Sequence, residues 1–161
     1  MSPRTELPSI AEVLGRVLQK VAPEQQPLLI ALAERMAAER YRGWAREVTE
    51  PDRRSGLLAC AEREEDIARR VEALYAGAAS IQADLLARNP DLVDLNRSLF
   101  EGFPLDRQFM LQAEGERLGA ATWRAFARNE GDPRKSEAFR GCALLEEQSA
   151  TFLESIASRN P

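Results

Sequence analysis

Four glutamates carry the chemistry open to this chain. Glu34, Glu64, Glu116 and Glu146 each interrupt a stripe of apolar or small residues that recurs at helical spacing. Glu64 follows Glu34 by 30 residues, and Glu146 follows Glu116 by the same interval. An ionised carboxylate among apolar side chains is costly unless it is paired or coordinated, and four together also repel. If the four stripes face one another, the acids must hold protons at neutral pH or share cations. Two divalent ions balance four negative charges. Carboxylates are hard oxygen ligands, suited to iron, manganese or magnesium.

Other chemistry is narrowed by absence. The chain has no histidine, which removes imidazole as base, proton shuttle or metal ligand. Histidine-dependent triads and the common zinc sites go with it. There is no GxGxxG or P-loop pattern. Cys60 and Cys142 are the only cysteines, and each lies four residues before an acid, one turn away on the same face. They are auxiliary candidates for metal ligation or redox chemistry; the alternative is that they are small buried hydrophobes. Tyr41 and Trp123 lie two turns past Glu34 and Glu116. Tyr41 is a candidate donor to a core carboxylate or a radical trap, and both side chains otherwise read as core. Arg35 and Arg117 follow their acids directly and are expected outside.

The elements that must position these residues all read as helix. Ser9 is a plausible N-cap for an N-terminal helix over 9–22. A first helix pair occupies 27–76, broken at "TEPD"; a second occupies 105–158, broken at "GDP". Between them, 77–104 reads as a long crossover with short helical pieces and breakers. The pairs echo each other. "ERMAAERYRGWAR" (34–46) lies over "ERLGAATWRAFAR" (116–128) at an offset of 82, with six of thirteen positions identical. The same offset lays 57–75 over 139–157 with six of nineteen identical, including Cys60 on Cys142. One helix pair has been written twice.

"LLIALAERMAAERYRGWA" resembles the first helix of rubrerythrins and other ferritin-like proteins, an Ala-rich helix with one ligand glutamate and an "RY" motif soon after. "AEGERL" resembles the "GE" motif of their third helix, and "AEREEDIARRV" and "ALLEEQSATFL" stand where the family has its Glu-x-x-His motifs. The resemblance covers about residues 28–75 and 105–157. It implies an all-α fold: a ferritin-like four-helix bundle from two duplicated helix pairs with a long crossover, plus the extra N-terminal helix, in a single domain. It also implies a core di-metal site of iron or manganese with Glu34, Glu64, Glu116 and Glu146 as ligands. Oxygen- or peroxide-linked redox chemistry, or metal handling, would follow. The departure is that Ile67 and Ser149 stand where the family places its histidines. No CxxC pair is present, so a rubredoxin-like domain is not expected. The other reading keeps the bundle without metal, with protonated or paired acids, as an interaction or scaffold protein.

Composition bounds the rest. Of 161 residues, 44% are hydrophobic and 30% charged, as in a globular protein with a core of its own. A net charge of -4 gives no footprint for nucleic acid or an anionic membrane. No apolar run approaches the roughly 18 residues of a membrane span. "MSPRTELPSI" lacks the apolar core of a signal peptide, so a cytoplasmic location is expected. A homodimer through helical surfaces is the expected assembly.

Overall fold

The computed structural model describes residues 9–157. The expected helix end at Ser158 and residues 1–8 of the N-terminal stretch lie outside the described residues. The fold is all-α: seven α-helices and one short 3-10 turn, with no strand among the described residues.

Prolines and caps set most of the boundaries. α1 (Ile10–Leu18) starts where the Ser9 hydroxyl accepts the Glu12 N–H at 3.2 Å. It stops short of the expected residue 22, because Ala22 before Pro23 takes an extended ψ of 137° and a 3-10 turn, Pro23–Gln25, intervenes. α2 (Gln26–Glu47) and α3 (Pro51–Glu72) each carry a proline in the first turn, where no N–H bond is lost. α3 ends three residues before Tyr75, and Gly77 then adopts a left-handed φ of 69°. The crossover holds short helical pieces, as its sequence suggests: α4 (Ala78–Arg88) and α5 (Leu92–Ser98), separated at Asn89 and Pro90. α6 (Leu105–Asn129) and α7 (Pro133–Ala157) complete the chain.

α2 and α3 form one helical hairpin and α6 and α7 another, each closed by a three-residue connection at 48–50 and 130–132. α3 packs along α7, and α2 meets α6 through side chains: Tyr41 with Glu116, Trp44 with Gln108 and Phe109, and Arg40 with Gln112. α1 lies against α6, and α4 and α5 lie against α2. Two apolar clusters result. One gathers Leu28, Ile67, Trp123 and Phe139; the other gathers Tyr41, Leu57, Phe109 and Leu153. Every long helix runs from one cluster to the other and carries its glutamate in the gap between. The acids therefore form a polar layer across an otherwise apolar interior. The direction of passage reverses within each hairpin but not across the crossover, so α3 and α6 run in the same sense, α3 and α7 run antiparallel, and Cys60 and Cys142 fall in opposite clusters. Both cysteines are free and buried.

The two hairpins repeat more than their glutamates. Arg35 pairs with Glu72 across α2 and α3 at 2.6 Å; Arg117 pairs with Glu154 across α6 and α7 at 3.0 Å. Arg42 reaches Glu65 at 3.2 Å, and Arg124 reaches Glu147 at 2.6 Å. Each second pair stands 82 positions after the first. Burial follows the same register, with Ala38 and Ala120, Tyr41 and Trp123, Cys60 and Cys142, and Ala68 and Ala150 all inside. Arg35 and Arg117 lie on the outer face, as their positions beside the acids predict.

Candidate metal centre

Glu34, Glu64, Glu116 and Glu146 are 7%, 0%, 2% and 1% exposed. Helical periodicity turns all four inward. Carboxylate oxygens of Glu34, Glu64 and Glu146 lie within 4.8 Å of one another, and they are the one such group among the described residues. Glu116 is not one of the three. It stands beside them with its own donors: the Tyr41 hydroxyl at 2.5 Å and the Gln112 side-chain amide at 2.8 Å, both on Oε1. Glu146 accepts the Trp123 indole N–H at 3.0 Å. Both oxygens of Glu64 are buried and receive no hydrogen bond from an N–H or hydroxyl group.

That asymmetry sets the electrostatics. Burial pushes Glu34, Glu64 and Glu146 above the usual carboxylate range, and the neighbouring acids push Glu64 and Glu146 further. Tyr41 is held well above its ordinary value by burial and by Glu116, so its phenol keeps its proton and donates. Without a cation, burial and mutual repulsion favour the protonated forms of these three acids.

A polar chain supports Glu116. Arg40 Nη1 donates to Gln112 Oε1 at 2.7 Å, which turns the amide nitrogen of Gln112 toward Glu116. Arg40 also donates to Asn96 and lies 3.8 Å over the Phe100 ring. Burial lowers its guanidinium to about 10. Neither Gln112 nor Arg40 stands out in the sequence; the only available signal is that Gln112 lies one turn before Glu116 on the same face. Gly119 matters for a different reason. A methyl group there would lie 2.6 Å from Glu146 Oε1, so the missing side chain is what lets that carboxylate sit against α6.

The remaining sequence candidates fall elsewhere. Cys60 Sγ accepts from Arg63 at 3.2 Å, and Arg63 Nε donates to the Ser149 hydroxyl at 2.9 Å. Burial raises both thiols, Cys142 to about 12. They stay protonated at neutral pH, and neither joins the three-carboxylate group. Ile67 and Ser149 are fully buried, so the two positions where imidazoles would stand hold a butyl group and a hydroxyl already bonded to Arg63. No helix of the described residues is long and apolar enough to cross a membrane. No protein family, curated protein or solved structure matches the chain.

Proposed function

We propose that this chain is a ferritin-like four-helix bundle built from a duplicated helix pair, and that its acid layer binds divalent metal. The recurring cross-helix ion pairs and the matched burial at one offset support the duplication. The observation that carries the metal reading is Glu64: a fully buried carboxylate that no N–H or hydroxyl group reaches, whose hydrogen-bonding neighbour is another acid, Glu34, and which has two acids within 4.8 Å. Leaving such a group unmatched is expensive, and a cation is its natural complement.

The donor set is all oxygen, which fits manganese, ferrous iron or magnesium rather than zinc or copper. Glu34, Glu64 and Glu146 would hold the first ion. Glu116, beside them, supplies the charge that balances a second. Iron or manganese, when bound, would supply oxygen- or peroxide-linked redox chemistry, or the protein would store or pass on the metal. The chain's own residues do the rest. Tyr41, Gln112 and Trp123 orient Glu116 and Glu146 through donated hydrogen bonds, as outer partners do around metal ligands. The two apolar clusters exclude water above and below the layer.

Metal analysis of protein purified without chelator tests this reading, together with thermal unfolding under added manganese or ferrous iron. About one to two ions per chain and a raised Tm are expected. Metal-free protein whose Tm is indifferent to both ions overturns it and leaves the second reading, an interaction or scaffold bundle with protonated acids. That reading draws on the burial that holds protons on Glu34, Glu64 and Glu146.

A further inference from the structure

Between α2 and α6, beneath α1, the interior stays open. A cavity of about 130 Å³ lies between α1, α2, α5 and α6. Its walls are mostly apolar: Val13 and Leu14 of α1 roof it, with Ile30 of α2 and Leu95 of α5 at the sides, and Asn96, Gln112 and Thr122 as polar exceptions. Its floor is the acid layer, where Glu34, Glu116 and Glu146 face it while Glu64 does not. The α6 side is kept low by Gly115 and Gly119. An apolar cavity of about 150 Å³ takes up one benzene ring, so the space here suits one small molecule. A polar floor under mostly apolar walls describes a binding site with one orientation.

We propose that this cavity binds a small apolar molecule of about one ring in size, carrying a single hydrogen-bond-donating end, an alcohol or an amine, directed at the carboxylates of the floor. The walls select the body by size. The floor selects the end: its carboxyl oxygens accept a donor, and an anionic end would add one more buried acid to those already gathered there. The one cationic side chain on the lining, Arg40, already gives donors to Gln112 and Asn96. α1 closes the site, which gives the N-terminal helix a role outside the acid layer itself. The inference shares its floor with the proposed metal centre but does not need a metal there. When metal is bound, the molecule lies beside it.

Calorimetric titration of the whole protein, after chelation and again with manganese, tests the proposal with four probes of near-equal size: benzylamine, benzyl alcohol, ethylbenzene and benzoate. Benzylamine or benzyl alcohol is expected to bind the chelated protein with a Kd of about 1 mM or tighter and at least tenfold better than ethylbenzene, with benzoate weakest. Ala33→Leu, which adds bulk on the lining, is expected to weaken binding at least about tenfold. Val17→Phe blocks the roof from α1 and serves if Ala33→Leu does not fold. The proposal is overturned if no probe binds the chelated protein, if benzoate binds as well as benzylamine, or if neither blocking variant alters binding. Metal content and manganese-induced stabilisation are read separately. Failure of the metal reading therefore leaves probe binding to chelated protein intact, and the converse also holds.

Discussion

Glu64 is the residue on which opposite outcomes turn. In chelated protein, Glu64→Gln replaces a buried acid, whose charged form burial and the neighbouring acids disfavour, by a neutral side chain of the same shape. The variant is expected to be more stable at neutral pH in urea unfolding. In metal-loaded protein, the same change removes a charged ligand and is expected to weaken manganese binding at least about tenfold. Tyr41→Phe deletes one of two donors to Glu116 Oε1 and should cost about 1–2 kcal/mol by the same unfolding assay. Gly119→Ala tests crowding rather than charge. Its methyl group meets the Glu146 carboxylate, so metal affinity should fall about tenfold while helicity by circular dichroism is unchanged. A variant with native affinity would show that Glu146 has room to move. At this scale the sequence was informative about which acids turn inward, because a stripe fixes a face. It could not show that three of the four come together while Glu116 keeps its own donors. That depends on helix separations and rotamers, which periodicity does not encode. Gln112 was hidden for the same reason: one polar residue on a mostly apolar face has no partner until α2 brings Arg40 beside it.

Among the elements, the long helices were legible because proline and glycine punctuate them, as at Pro51 and Pro133. The crossover was harder. α4 and α5 are short, and short helices owe their stability to packing more than to propensity. α1 was overextended in the sequence reading, since Val21 continues the apolar stripe although Pro23 has already bent the backbone. Its hold on the molecule rests on few groups, with Val13 its only buried residue. Val13→Asp is expected to release α1 from α6 and to increase binding of a hydrophobic dye, with far-ultraviolet helicity nearly preserved. Complete unfolding instead would show that α1 is integral to the core. The repeated ion pairs are a different matter. Arg35 and Arg117 are about two-fifths to half exposed, so Arg117→Ala should cost no more than about 1 kcal/mol. Those pairs mark the register of the hairpins more than they stabilise them.

For the whole molecule, the acid layer makes stability depend on pH in a direction set by metal. Glu34, Glu64 and Glu146 have folded pKa values above those of the unfolded chain. Their stabilising contribution is therefore fully present below about pH 4, the unfolded value, and is lost as pH rises through the raised folded values. Chelated protein should show a Tm falling from acid toward neutral pH, other groups aside. Metal binds the deprotonated carboxylates, so loaded protein should lose its added stability as the solution is acidified. Melting curves from pH 5 to 8, with and without manganese, are expected to slope in opposite senses. Parallel curves would show that metal does not engage these acids.

The hairpin arrangement also bears on how the chain reaches this state. Contacts within each hairpin are local in sequence and are expected to form first; those between α3 and α7 span a long connection and are expected to follow. Neither hairpin alone gathers more than two of the four acids. The repulsion, and the proton or metal uptake that relieves it, thus enters only when the halves meet. Docking is where the refolding rate should feel pH and divalent ions, while formation of each hairpin should ignore both.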